Sequence, residues 1–269
     1  MRQVSDGLAP MYRMPVTFGP APGPRNVPEA QRHRRYEKNA LTLTLSAATD
    51  PDMLARLLPR GFAIAGEARI ELSLLVLSNI GWLAGRGYNI VMLRIPARWR
   101  GEEEVSGYFV PVLWESMADP ILTGRDELGW PKIFADIPAP VVEDGRWRAS
   151  ASWDGFAFLE IEAGEFVPAE APAPAGPMMF HKYVPRTGEW GEAEIDYFTV
   201  TSPDGPAPQV KSALQGRGRF EFHAARWEDM PTQYPIVTAL AALPLTDFGP
   251  ATLVESSGGG DVSGQRRLR

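Results

Sequence analysis

Proline and glycine each occur 26 times in this chain of 269 residues. Proline fixes φ and removes a backbone donor, and glycine weakens helices and strands alike. Such density favours short elements joined by many turns, and a β-rich fold over a helical bundle. The apolar pattern agrees. Leu41, Leu43 and Leu45 alternate with Thr42 and Thr44, the period of a half-buried strand. Ile70, Leu72 and Leu74 alternate with Arg69, Glu71 and Ser73 in the same way.

Further strands are expected over 90–97, 108–114, 133–137, 146–153, 156–162, 178–183, 193–201 and 218–223. Two segments read as helices. Asp50 suits an N-cap and Pro51 the first helical position of a short helix ending near Leu58, where Pro59 and Gly61 stop it. Pro235 to Leu243 is the second. Residues 1–30, with Pro10, Pro15, Pro20, Pro22 and Pro24, read as an extended arm able to wrap a neighbouring subunit. Residues 31–255 form one domain, and 256–269 read as a disordered polar tail. The expected fold is α+β and mainly antiparallel, a large curved or closed barrel- or cone-like sheet with a few short flanking helices.

Composition removes several functions. There is no cysteine, which excludes disulfides and thiolate chemistry. The three histidines, His33, His181 and His223, are not at metal-ligand spacing, so no metal is expected. The net charge is -6 and the cations form no stripe, which argues against nucleic acid. No apolar run approaches the roughly 20 residues of a membrane helix, and Met1 to Pro10 lacks a signal-peptide core. A cytoplasmic protein is expected.

The chemistry points to Gly124-Arg125-Asp126-Glu127-Leu128-Gly129-Trp130-Pro131-Lys132. Read as a strand, this segment puts Trp130, Lys132 and Phe134 on one face, and a lysine between two aromatics suits an apolar cavity wall. A free lysine has a pKa near 10.4, so only about one in a few thousand is uncharged at neutral pH. Desolvation disfavours the ammonium and lowers that value. The neutral amine can attack a ketone, and the protonated imine then accepts electrons from a breaking C–C bond. From the residues alone, a strand-end surface lysine is the commoner case.

The run Gly124-Arg125-Asp126 … Trp130-Pro131-Lys132 resembles the motif of the acetoacetate decarboxylases, Gly-Arg-Glu followed by an aromatic-Pro-Lys, with Lys132 on the Schiff-base lysine. Thr49 to Pro59 resembles that family's first helix. Arg69-Ile70-Glu71-Leu72 is similar to the strand whose glutamate enters the active site. Tyr183-Val184-Pro185 and Pro235-Ile236-Val237 resemble later landmarks. The family is itself the standard example of a lysine activated by desolvation or a neighbouring cation. There are departures. Ile133 follows Lys132 where the decarboxylases have a second lysine. Tyr88-Asn89-Ile90 stands where the family has Tyr-x-Glu, so a carboxylate is missing at Ile90. Arg34, near Tyr36, is the candidate for the N-terminal arginine.

The resemblance implies Lys132 and Glu71 as catalytic residues, with Arg125, Trp130, Arg34 and Tyr88 around a small keto-acid substrate. Arg125 could bind a carboxylate with its planar fork or brace a loop. His181 reads as a satisfied, partly buried histidine, and Arg217 to His223 as a charged solvent face. The expected activity is decarboxylation of a small 3-oxo acid through a lysine imine, with no cofactor, in a homo-oligomer. Two rivals stand beside it: an imine-forming aldolase or dehydratase acting on pyruvate-like 2-oxo acids, and a non-catalytic β-cavity protein that binds a small molecule.

Overall fold

The computed structural model describes residues 10–173, 175–201, 206–260, 262 and 264–269. Residues 1–9 of the expected arm, with Asp261 and Ser263 of the tail, lie outside them.

Fourteen strands form the sheet. In chain order they are β1 (Asn39–Ala48), β2 (Phe62–Ile64), β3 (Arg69–Ile80), β4 (Arg86–Arg100), β5 (Glu104–Glu115), β6 (Lys132–Phe134) and β7 (Val141–Glu143). The rest are β8 (Arg146–Trp153), β9 (Phe156–Pro168), β10 (Met178–Pro185), β11 (Ala193–Thr201), β12 (Gln209–Phe222), β13 (Ala251–Ser257) and β14 (Gln265–Arg267). The α-helices are α1 (Pro51–Ala55), α2 (Ala118–Thr123) and α3 (Tyr234–Ala241).

The main path is β14-β11-β10-β5-β4-β3-β1-β13-β12-β9-β8-β7, with β2 on β4 and β6 on β5. Its ends, β14 and β7, do not meet. The sheet is therefore open, not the closed barrel that the strand pattern allowed. Pairing is antiparallel except where β10 and β6 both join β5 in parallel. A parallel neighbour needs a crossover, and residues 116–131, which contain α2, supply it between β5 and β6.

The alternation in β1 and β3 sets two faces. Leu43, Leu45, Ile70, Leu72 and Leu74 point into the main core, at most 2% exposed. Val237 and Leu240 of α3 join that core, and α1 contributes Leu54. Helix α1 begins as its sequence dictates: the Asp50 side chain accepts from the Met53 N–H at 2.8 Å, with Pro51 in the first turn. On the opposite face lies a second apolar cluster of Ile90, Met92, Val110, Leu113 and Phe180. Leu75, Leu77, Tyr88 and Trp130 pack against it.

Both chain ends fold back over this second face. The Arg13 Nε lies 3.1 Å from Glu127 Oε1, and Arg25 Nη1 lies 3.0 Å from Glu127 Oε2. Arg25 also donates to the Val262 carbonyl at 2.9 Å. The described part of the arm therefore clamps its own chain rather than standing out as an extended strap. The tail differs from expectation too: it contains β14, which pairs with β11.

Candidate active site

Pro131 has no N–H, and the chain bends there before joining the sheet. The Lys132 N–H closes on the Trp130 carbonyl at 2.8 Å, and the Leu113 N–H reaches the Pro131 carbonyl at 3.1 Å. Lys132 is thus the first residue of β6, in register with Leu113 of β5. The residues before it are not a strand. Helix α2 runs into one π-helical turn, Gly124–Leu128, which ends at Gly129 with φ +76°, a conformation that favours glycine.

This turn holds the lysine down. A Cβ on Gly124 would stand 2.4 Å from Lys132 Cε, so only glycine leaves room for the stem. Lys132 is 5% exposed. Its Nζ lies 2.8 Å from Glu115 Oε1, donates to the Pro120 carbonyl at 3.1 Å, and sits 4.9 Å from the centre of the Trp130 ring. Trp130 is fixed in turn by stacking on Phe180 at 4.9 Å.

Glu115 is fully buried. Its Oε2 has no hydrogen-bond partner among the described residues. Burial drives the two groups toward neutrality. It lowers the Lys132 pKa against the opposing pull of Glu115, and raises that of Glu115 against the pull of Lys132. An amine beside a carboxylic acid is the form that burial favours. Sequence reasoning did not find Glu115, because the apolar run was read as ending at Trp114. Glu115 pairs directly with Ile90, the position at which the resemblance left a carboxylate missing.

Lys132 faces a cavity of about 410 Å³. Trp130 and Tyr88 line it. Burial and the charge of Glu115 raise the Tyr88 pKa, so its hydroxyl stays a proton donor. Gly258, Gly259, Gly260 and Val262 of the tail also line the cavity, so the segment expected to be disordered is part of its wall.

Three expected residues are placed elsewhere. Glu71 shares a sheet face with the cavity lining but lies beyond it. There it takes hydrogen bonds from Arg94 at 2.9 Å and Tyr108 at 2.8 Å, rather than pairing with Arg69. Arg34 pairs with Glu37 at 2.8 Å, off the cavity, while its neighbour Arg35 lines it. Arg125 is exposed and donates to the Lys132 carbonyl at 3.0 Å, so it braces the backbone of the lysine. His181 is held by Asp196 at 2.7 Å. Among the described residues no group of three or more histidine, aspartate or glutamate side chains could hold a metal ion, and no helix is long and apolar enough to cross a membrane.

The amine of Lys132 is buried at the end of this cavity, and comparisons with known proteins show what the fold resembles. An acetoacetate decarboxylase structure superposes with a TM-score of 0.67 at 14% identity, covering 86% of this chain and 88% of its own. Acetoacetate decarboxylase from Legionella pneumophila gives 0.64 at 18% identity, over 86% of this chain and 85% of its own. The enduracididine biosynthesis enzyme MppR, solved with pyruvate, gives 0.63 at 16% identity, over 87% and 90%. A sequence search of curated proteins finds no match. The family model for acetoacetate decarboxylase (ADC) matches residues 13–248, and the chain belongs to that family.

Proposed function

We propose that this chain is a carbon–carbon lyase that works through an imine on Lys132 and decarboxylates a 3-oxo acid. The observation that carries the reading is the dry pair of Lys132 Nζ and Glu115 Oε1, 2.8 Å apart at the closed end of the cavity. With the proton on Glu115, the amine has a free lone pair. It attacks the ketone carbon; the carbinolamine oxygen takes the Glu115 proton and leaves as water, which gives the iminium beside a Glu115 carboxylate. The bond to the carboxylate carbon then breaks, its electron pair passes to the iminium nitrogen, and carbon dioxide leaves. Glu115 relays a proton from solvent to the enamine carbon, in the role that Glu71 was expected to fill, and regains its own proton when the new iminium is hydrolysed. Water then hydrolyses the new iminium, releasing the ketone and the lysine.

The apolar lining favours this direction. Apart from Lys132, the cations lining the cavity are Arg35 and Lys38, both near the exposed Tyr36. A substrate carboxylate at the closed end is therefore poorly solvated, a cost that vanishes when it departs as carbon dioxide. Tyr88 supplies a donor that hydrogen-bonds substrate oxygen. Aldol or dehydration chemistry on a pyruvate-like acid is the second reading, supported by the resemblance to the pyruvate-bound MppR structure. Cytoplasmic location and homo-oligomeric assembly belong to the same proposal. Met14 and Phe18, 85% and 87% exposed on the arm, are apolar surface suited to contact another subunit.

Borohydride reduction in the presence of acetoacetate or pyruvate, followed by mass spectrometry, tests the imine. The expected result is an adduct on Lys132 that is absent from Lys132→Ala. No adduct with any oxo acid would leave a binding protein. Carbon dioxide release from the trapped 3-oxo acid separates decarboxylation from aldol chemistry.

A further inference from the structure

The cavity is long as well as dry, and its length follows from the sheet register. Leu113 of β5, Met92 of β4, Leu75 of β3 and Thr42 of β1 all contribute to its wall. These strands are consecutive neighbours in the sheet. Three steps of about 4.8 Å carry the wall roughly 14 Å sideways from β5. Ser256, at the end of β13, extends it by one strand more.

The two ends differ. Lys132, Ile90 and Leu113 are 5%, 7% and 1% exposed, so the lysine end is shut. Tyr36 is 45% exposed and lies with Arg35 and Lys38 at the other end, which opens to solvent. The volume of about 410 Å³ corresponds to about fourteen water-sized groups at ~30 Å³ each. A four-carbon oxo acid would fill roughly half of that space on the same scale. The remainder is walled by Leu75, Leu77, Met92, Ile80 and Trp82, with Thr42 and Ser256 as polar interruptions.

We infer that the substrate of this site is an elongated oxo acid: a reactive carbonyl at Lys132 and an apolar body, of about five to seven non-hydrogen atoms on that volume scale, lying across β4, β3 and β1. The inference rests on the imine reading and adds the substrate class to it. Each methylene drawn from water into the lining contributes binding that scales with buried area. Arg35 and Lys38 face the anion at the mouth, beside Glu37, and the apolar body then selects for length.

The test is a series of straight-chain 3-oxo acids from four to ten carbons, with borohydride trapping and carbon dioxide release measured on the same protein. The expected gain in kcat/KM is about fourfold per methylene, or on the order of 100-fold from four to eight carbons. Thr42→Trp places an indole in the far half of the cavity and should cut the eight-to-four-carbon ratio to roughly tenfold or less on the same scale. Leu77→Trp is the second blocking variant, and thermal melts identify either one that fails to fold. Trapping at Lys132 by the four-carbon acid, with rates flat or falling along the series, would overturn the inference and leave the imine reading standing. So would an unchanged ratio in a folded blocking variant. Rapid condensation of pyruvate with an aldehyde, faster than turnover of any single oxo acid, would also overturn it, because the space would then belong to a second substrate. Absence of trapping with every acid would remove the imine reading first.

Discussion

Lys132 and Glu115 titrate against each other in a place largely shielded from water. An unfolded lysine titrates at 10.5, and burial lowers that value in the folded chain. Between the two values the unfolded chain holds more protons, so this group makes stability rise with pH. Glu115 acts oppositely: its folded pKa lies above 4.5, and its contribution is lost as pH rises through the folded value. Removing the lysine isolates the second effect. In Lys132→Met nothing opposes the burial of Glu115, whose pKa should climb further. The variant should lose about 3–5 kcal/mol at alkaline pH, where the carboxylate is charged and unpaired, and clearly less near pH 5. Urea unfolding at both pH values checks this. Glu115→Gln keeps the shape but removes the proton carrier. It should lower kcat about 100-fold, and it should shift the acid limb of the kcat/KM profile to lower pH, because the group that raises the lysine pKa is gone.

At the scale of elements, the β5-α2-β6 crossover delivers the lysine. Gly124→Ala would put a methyl group 2.4–2.8 Å from Lys132 Cε, Cδ and Nζ, in a side chain that cannot swing away without leaving Glu115. Imine trapping should slow by about tenfold or more, since small misplacements at a reacting group carry large penalties, while circular dichroism stays that of the native sheet. Gly129→Ala meets two obstacles, a positive φ and Lys182 Cβ at 2.5 Å. It should destabilise by about 1–2 kcal/mol from the backbone alone, measurable as a lower Tm.

The same elements show what could be read from the sequence. Strands β8 and β11 were legible to the residue, because alternation and flanking turns bound them. Helix α1 was legible from Asp50-Pro51. Lys132 was legible through the Gly124 to Lys132 run. Helix α2 was not, because Pro120 and Gly124 resemble loop punctuation and the segment is too short for a helical period to declare itself. Glu115 was not either, because its meaning lies in standing opposite Ile90. That is a fact of pairing at the far end of the β4–β5 hairpin, beyond a register shift between Leu93 and Ile95, which one sequence does not display.

At the scale of the whole molecule, the Arg13–Glu127–Arg25 cluster ties the arm to the turn beside the lysine, and Arg25 also holds the tail. Burial raises the Glu127 pKa while the two guanidiniums pull it down. Glu127→Ala would leave two largely buried cations without their shared anion, at a cost of about 3–5 kcal/mol. Hydrogen exchange should accelerate in residues 10–36 and 264–269, with the sheet interior protected.

A cavity shut at Lys132 and open beside Tyr36 would impose an order on traffic in the proposed reaction. A ketone product would have to back out past Tyr36 before the next precursor could enter. Released product should therefore compete with substrate for the empty protein, and the slow event in each cycle should be departure rather than bond cleavage whenever the product carries a bulky tail. In the proposed decarboxylation, carbon dioxide, small and uncharged, would escape that queue, making the first half of the cycle irreversible while the second half waits at the door.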